Sequence, residues 1–261
     1  MIKLAANLSM MFNEVAFLER FSAAAACGFK GVEFLFPYEH APREVASALE
    51  DARLTQALFN LPPGDWAAGE RGMAAIPGRE REFMESIDTA LEYAAALRCP
   101  RLHVMAGLLP AGASVEECER VYEANLRLAA SRFAQRRVEA VIEPINHRDI
   151  PRYYLNTTRQ AIAVIERVAA PNLKLQLDLY HCQITEGDLT HHVRGLSGRY
   201  SHVQIAGNPD RNEPDFGEIN YGYVLDVLDA TGYEGWVGCE YRPKNGTREG
   251  LAWARPYGIT G

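Results

Sequence analysis

The sequence predicts an α/β fold in which eight parallel strands close into a (β/α)8 TIM barrel, with residues 1–261 forming a single domain. Three observations support this prediction. Short apolar runs alternate with amphipathic helical patterns eight times along the chain. The runs are apolar at successive positions, as expected for parallel strands that are covered on both faces. The length of 261 residues is also close to the roughly 250 residues of one such barrel.

The first half of the chain gives four strand–helix pairs. Pro42 suits the first turn of a helix, Gly28 suits a helix C-terminus, and Ser114 with Glu117 forms a capping-box pattern. The predicted strands are 2–7, 31–36, 55–60 and 102–105. The predicted helices are 14–27, 42–52, 79–97 and 114–135.

The second half continues the alternation less regularly. Pro171 prevents the helix before it from continuing. The polar segment 181–196 is ambiguous between helix and loop. The predicted strands are 140–143, 173–178, 201–206 and 235–240, and the predicted helices are 157–169, 221–230 and 247–254.

Two segments are too irregular for a helix or strand. Residues 61–78 are rich in glycine and proline and contain Trp66. Loops of this length in compact domains are usually lids or binding loops, although an ordinary surface excursion is the alternative. Residues 207–218 form a second, polar loop. A doubly wound open sheet is the alternative fold, but no GxGxxG turn follows the first strand.

Composition limits the partners and the compartment. The net charge of −7 argues against a nucleic-acid surface. The five cysteines form no CxxC pair, which is typical of reduced thiols in a cytoplasmic protein. No run approaches the roughly 18 apolar residues of a membrane span, and no secretory signal pattern is present. We therefore expect a cytoplasmic protein without a membrane or nucleic-acid partner.

Four predicted strands end in a side chain that offers an oxygen. These side chains are Glu143, Asp178, Gln204 and Glu240. Their separations of 35, 26 and 36 residues (178 − 143, 204 − 178, 240 − 204) are about one βα unit each. Because the C-terminal ends of barrel strands meet at one face, the four side chains are expected to converge there.

Converging carboxylates repel one another, and a divalent cation relieves that repulsion. The all-oxygen set suits Mg²⁺ or Mn²⁺ better than Zn²⁺. The alternative is that each carboxylate caps a helix or pairs with an arginine.

Four further residues are candidates for substrate binding. His181 follows Asp178 by three residues, although it also fits a solvated loop histidine. Arg211 can clamp a substrate carboxylate, with a surface salt bridge as the alternative, and Glu218 shares its loop. Arg71 on the 61–78 loop is a weaker candidate, whereas His103 fits a satisfied histidine of the core.

Long and specific motifs occur almost from end to end. They are ANLSM at 6–10, VEFLFPY at 32–38, PGDWAAGERG at 63–72, IPGRE at 76–80, IEPINH at 142–147, GEINY at 217–221 and WVGCEY at 236–241. On these motifs the chain resembles the hydroxypyruvate isomerase family, within the xylose-isomerase-like TIM-barrel superfamily. A sister family, the 2-oxo-tetronate isomerases, is similar through ALFN at 57–60, HVMAG at 103–107 and HVQIAG at 202–207.

The resemblance implies an isomerase that interconverts hydroxypyruvate and tartronate semialdehyde through a metal-stabilised enediolate, with 2-oxo-tetronate as the alternative substrate. It implies that Glu143 and Glu240 are the proton donor and acceptor. It also implies that these two residues bind the metal together with Asp178 and Gln204. Many superfamily members have histidine in place of Gln204, which weakens an inference to zinc.

Two other classes of function remain open. One is a metal-dependent hydrolase of the endonuclease type, disfavoured because the strand ends lack the histidine set of the three-zinc enzymes. The other is a non-catalytic protein that binds sugar acids. We expect a small hydroxy-keto acid as the partner, and assembly into a homo-oligomer is compatible with the sequence.

Overall fold

A computed structural model describes residues 1–261, and its eight parallel strands close into one barrel in sequence order. Pairing of Lys3 with Trp236 and of Ala6 with Cys239 joins the last strand to the first. The predicted TIM barrel is therefore confirmed. The strands are β1 (Lys3–Asn7), β2 (Gly31–Glu33), β3 (Thr55–Asn60), β4 (Arg101–His103), β5 (Glu139–Ile142), β6 (Leu173–Asp178), β7 (Tyr200–Ile205) and β8 (Trp236–Cys239).

Eight α-helices surround the barrel, and two 3-10 helices cover Phe17–Glu19 and Glu249–Tyr257. None of the helices is long and apolar enough to cross a membrane. The α-helices are α1 (Arg20–Ala26), α2 (Pro42–Asp51), α3 (Glu80–Leu97), α4 (Val115–Ala134), α5 (Thr158–Val168), α6 (Leu179–Thr185), α7 (Leu189–Gly195) and α8 (Tyr221–Ala230).

The first helix begins later than the sequence predicts. The carboxylate of Glu14 accepts hydrogen bonds from the backbone N–H (2.6 Å) and the hydroxyl (3.1 Å) of Thr247. This long-range contact holds Glu14 against the C-terminal segment, residues Phe17–Glu19 form a 3-10 helix, and the α-helix begins at Arg20. The predicted closing helix at 247–254 is instead the 3-10 helix Glu249–Tyr257.

The ambiguous segment 181–196 forms the two short helices α6 and α7. Asp178 begins the first of them, since its Oδ1 accepts hydrogen bonds from the backbone N–H groups of Tyr180 (2.7 Å) and His181 (3.3 Å). A side chain at the end of β6 is therefore also the N-cap of the following helix.

The 61–78 segment has no helix or strand, as predicted, but it is well anchored. Arg79 Nη1 lies 2.6 Å from Glu70 Oε1, and Glu70 Oε2 accepts from the backbone N–H of Asp65 at 2.6 Å. The backbone N–H of Ala75 donates to the carbonyl of Ala106 at 2.7 Å. These contacts fasten both ends of the loop beside β4.

Candidate active site

A cavity of about 300 Å³ lies at the C-terminal ends of the strands. Its polar lining residues are Asn60, Arg71, His103, Glu143, Asp149, His181, Arg211, Glu240 and Arg242. Its apolar wall is Met10, Leu35, Trp66, Met105, Ile145 and Ile150. A small cavity that is lined by charged side chains of both signs and by a partly apolar wall suits a small polar molecule.

Glu143 and Glu240 each follow the last residue of a strand, β5 and β8 respectively. Both are buried, with 4% and 8% of their surface exposed. Two strands, β6 and β7, lie between β5 and β8 in the barrel. The two glutamates therefore enter the same cavity from different sides.

Burial strongly raises the pKa values of the carboxyl groups in this cavity. It raises the pKa of Glu143 well above its usual range, and the neighbouring charges of Glu240 and Asp178 raise it further. Burial also raises the pKa of Glu240 to about 8, although Arg211 opposes that shift. The pKa of Asp178 is raised by burial as well. Carboxyl groups whose pKa is raised by burial hold a proton more readily and are suited to proton transfer.

Arg211 is buried among acidic groups. Its Nη2 donates to Glu240 Oε2 at 2.9 Å and its Nη1 donates to Asp149 Oδ2 at 3.0 Å. Asp178 Oδ2 lies 3.7 Å from Nη2. The prediction that Arg211 lies in the site agrees with this placement, but the alternative of a surface salt bridge does not.

The hydrogen bonds of Asn146 define the tautomer of His181. Asn146 Oδ1 accepts from the backbone N–H of Asp149 at 2.8 Å, so its Nδ2 is the atom that donates to His181 Nδ1 at 2.6 Å. Burial lowers the pKa of His181 well below its usual value, which keeps the ring neutral. The ring proton is therefore on Nε2, which faces Asp178 Oδ2 at 3.6 Å and Glu143 Oε1 at 3.9 Å.

One group of side chains in the cavity can hold a metal ion. Ligand atoms of Glu143, Asp178 and His181 all lie within 4.8 Å of one another, and all three residues are buried. Glu143 Oε1 and Asp178 Oδ2 have no hydrogen-bond partner. Buried carboxylate oxygens without a partner are costly, so their convergence fits a bound cation.

Gln204 lies in a different polar cluster inside the barrel. Its Nε2 donates to Glu33 Oε1 at 2.8 Å, and its Oε1 accepts from Gln176 Nε2 at 2.6 Å. The other oxygen of Glu33 lies 2.5 Å from His202 Nε2. An amide oxygen has two lone pairs, so Oε1 keeps one for another partner. The assignment of Gln204 as a metal ligand stays a prediction.

The structure places Glu218 outside the cavity, so its role in substrate binding stays a prediction. This residue is exposed, accepts a hydrogen bond from Gln183 at 3.4 Å and does not line the cavity. This hydrogen bond directs the side chain towards α6 instead. Arg71 does line the cavity, with its guanidinium 3.8 Å from the centre of the Trp66 ring.

Four polar residues of the cavity lining, Asn60, His103, Asp149 and Arg242, are not among the site residues that the sequence predicts. His103 was assigned to the core because the predicted strand extended to residue 105. In the structure β4 ends at His103, whose Nδ1 lies 3.2 Å from Asn60 Oδ1 and 3.5 Å from Glu143 Oε2. Arg242, two residues after Glu240, also lines the cavity. Its position after a strand end was the signal that could have identified it.

The profile of the xylose isomerase-like TIM-barrel family matches residues 21–257 of this chain. The chain belongs to this family. It is 55% identical to the 2-oxo-tetronate isomerase of Cupriavidus necator, with 98% of this chain and 99% of the relative covered. It is 48% identical to the hydroxypyruvate isomerase of Escherichia coli K12, with 98% and 100% covered.

A solved structure described as an AP endonuclease of family 2 from Brucella melitensis superimposes with a TM-score of 0.97 at 53% identity, covering 98% of this chain and 99% of that chain. The chain matches two named isomerases over nearly their full length. The prediction that this protein is an isomerase is therefore confirmed.

Proposed function

We propose that this protein isomerises a short 3-hydroxy-2-oxo acid, either hydroxypyruvate or 2-oxo-tetronate, by moving a proton between C3 and C2. The observation that carries the proposal is the pair of buried glutamates, Glu143 and Glu240, which enter one small cavity from different strands. The similarity to isomerases that carry these two names supports the choice of substrates.

The two candidate substrates share their reacting atoms. Each has a carboxylate attached to a C2 ketone, and each has a hydroxyl on C3. They differ in one substituent of C3, which is hydrogen in hydroxypyruvate and a hydroxymethyl group in 2-oxo-tetronate. One arrangement of acid and base can therefore serve both, and the space beside C3 sets the preference between them. The cavity of about 300 Å³ has room for either acid.

The reaction needs an acid and a base beside the plane of the enediolate that forms between C2 and C3. One glutamate removes the C3 proton, which leaves a planar enediolate, and the other returns a proton to C2. The proton of the C3 hydroxyl must also reach the C2 oxygen. His181 carries its proton on Nε2, facing the glutamate side of the cavity, and is placed to pass a proton between two oxygens. Atoms balance because one C–H and one O–H are each broken and formed.

Glu143 and Asp178 are the residues that would hold a divalent cation, since their unpartnered oxygens converge, with Glu240 and Gln204 as further proposed ligands. The preponderance of carboxylates leads us to propose Mg²⁺ or Mn²⁺. When bound, the cation supplies positive charge that favours ionised oxygens on the substrate. Arg211 supplies a fixed positive charge beside Glu240 and orients its carboxylate.

The 61–78 loop places Trp66 and Arg71 on the cavity wall. We propose that this loop covers the substrate, because an enediolate must be kept from water to avoid side reactions.

An endonuclease is the second candidate, because the solved structure from Brucella melitensis bears that description. A DNA backbone needs a basic surface, whereas this chain has a net charge of −7 and a cavity lined by the three buried or partly buried acidic groups Glu143, Asp149 and Glu240. These features favour the small acid substrate.

The test is a substrate panel on protein that is stripped of metal and then reloaded. Hydroxypyruvate and 2-oxo-tetronate are supplied separately, and product formation is followed by NMR with Mg²⁺, Mn²⁺ or chelator. An oligonucleotide with an abasic site is tested under the same conditions. Isomerisation of at least one acid, without cleavage of the oligonucleotide, is expected. Cleavage without isomerisation would contradict the proposal.

A further inference from the structure

The buried arginine of the cavity is already matched by carboxylates. Arg211 donates from Nη2 to Glu240, from Nη1 to Asp149 and from Nε to the backbone carbonyl of Glu240. Asp178 adds a third acidic neighbour. Since all three guanidinium nitrogens already point at partners in the protein, Arg211 has little positive charge left for an anionic substrate.

Two other arginines of the cavity have no carboxylate partner. Neither Arg71 nor Arg242 has a carboxylate oxygen within 4.0 Å. Arg71 donates only from Nη1, to the carbonyls of Trp66 (3.1 Å) and Glu70 (2.6 Å), which leaves its Nε and Nη2 edge free. Arg242 is exposed, and its side chain makes no hydrogen bond within the protein. The positive charge of Arg211 is therefore engaged by acidic groups of the protein, whereas the guanidinium groups of Arg71 and Arg242 have no acidic partner.

The guanidinium of Arg71 and the backbone of Arg242 are held at the cavity by their surroundings. The Arg71 guanidinium stacks 3.8 Å from the centre of the Trp66 ring, a cation–π contact that limits its freedom. The backbone of Arg242 is fixed on both sides: its N–H donates to the carbonyl of Arg211 at 2.8 Å, and its carbonyl accepts from Asn212 at 2.8 Å. The pre-positioned donors of Arg71 bind an anion with a smaller loss of entropy, and the fixed backbone of Arg242 keeps its side chain within reach of the cavity.

We propose that Arg71 and Arg242 bind the carboxylate of the substrate and thereby select acids over neutral sugars of the same size. A guanidinium fork matches a carboxylate in a bidentate pair, which gives direction as well as charge. In both candidate substrates the carboxylate is attached to C2, so one anchor places C2 and C3 between the glutamates in each case. This inference rests on the proposed function for the identity of the acid.

The experiment compares a charged probe with a neutral one. Glycerate and its amide, glyceramide, are titrated into metal-loaded protein by calorimetry for wild type, Arg71→Gln, Arg242→Gln and the double variant. Loss of a charge-assisted pair should weaken glycerate binding by roughly 10- to 100-fold in each single variant. Glyceramide binding should not change. For a substrate that turns over, KM should rise by the same factor with kcat nearly unchanged.

Two further variants make the result specific. Arg242→Lys keeps the charge but loses the fork, so its glycerate affinity should lie between those of wild type and Arg242→Gln. Arg120→Gln, at an exposed position of α4 outside the cavity, makes the same change in net charge and should bind both probes as wild type does. Glycerate affinity in Arg71→Gln and Arg242→Gln equal to that of Arg120→Gln would overturn the inference, as would equal weakening of both probes.

Failure of this inference is distinguishable from failure of the proposed function. If wild-type protein isomerises an acid while glycerate binding is unaffected by either arginine, only the anchor is wrong. If neither acid turns over while Arg242→Gln still loses glycerate selectively, the anchor stands and the proposed reaction is wrong.

Discussion

At the scale of single residues, the two glutamates are constrained by their surroundings in different ways. Glu240 is paired with Arg211 at 2.9 Å, whereas Glu143 Oε1 has no hydrogen-bond partner. Its other oxygen faces His103 at 3.5 Å. Glu240 is therefore oriented by the guanidinium of Arg211, and Glu143 is free to exchange a proton with a ligand in the cavity.

The first prediction concerns these two carboxylates. Glu143→Gln and Glu240→Gln keep the side-chain shape but remove the proton-transfer group. Each change should lower turnover by roughly 10²- to 10⁴-fold, the value of a positioned acid or base. The double variant should lose much less than the product of the two single losses, because both residues serve one reaction path. Turnover of all three variants is measured by NMR.

Exchange with solvent separates the two half-reactions. In D₂O, a variant that lacks only the C2-side acid should still exchange the C3 hydrogens of hydroxypyruvate without forming the aldehyde. A variant that lacks the C3-side base should do neither. The matched control is Glu234→Gln, an exposed glutamate just before β8. If both active-site variants keep normal exchange and turnover, the assigned roles are wrong.

At the scale of elements, the chain pattern predicted the eight strands because apolar runs of parallel strands are local features. It did not predict α6, since a helix of seven residues shows little periodicity and its N-cap is the site residue Asp178. The misplaced end of β4 shows the same limit: an error of two residues moved His103 from the cavity to the core.

Contacts between distant parts of the chain could not be predicted. Glu33 is a charged residue at the end of β2, and its partners Asn7, His202 and Gln204 lie on β1 and β7. The pairing of Arg211 with Asp149 spans 62 residues. Which carboxylates an arginine meets depends on barrel closure, so sequence reasoning identified Arg211 as a site residue without identifying its partners.

The second prediction concerns the 61–78 loop, which carries Trp66 at the cavity. Trp66 is 38% exposed and stacks on Arg71, so a bound acid that engages the loop should change its fluorescence. Trp66→Phe should remove most of the ligand-induced signal seen with glycerate. Trp236→Phe is the control, because Trp236 pairs with Lys3 at the opposite end of the barrel. An unchanged signal in Trp66→Phe would place ligand binding away from this loop.

At the scale of the whole molecule, the barrel concentrates acidic groups at one end. Glu143, Asp178 and Glu240 are all buried there, and burial raises the pKa of each. Folding without a cation therefore favours their protonated forms. A cation reverses this preference because it interacts with the ionised forms. The stability of the whole protein should consequently depend on pH in opposite ways with and without metal.

The sign follows from the pKa of Glu240, which folding raises from 4.5 to about 8. The stability that this group contributes is fully present below pH 4.5 and is lost as pH rises through about 8. Above pH 6.5, His103 adds no opposing effect, because its pKa is lowered from 6.5 to about 3 and the ring is then neutral in both states. The window from pH 6.5 to 8 therefore reports on the carboxylates.

The last prediction uses this window. In chelator, the midpoint of thermal unfolding should fall as pH rises from 6.5 to 8, and the fall should be smaller in Glu240→Gln. Addition of Mn²⁺ or Mg²⁺ should raise the midpoint, and the increase should grow with pH because the ion needs ionised ligands. Glu234→Gln should follow wild type throughout. Scanning calorimetry at several pH values measures both effects. A metal-induced increase that is independent of pH, or absent, would mean that these carboxylates do not bind the ion.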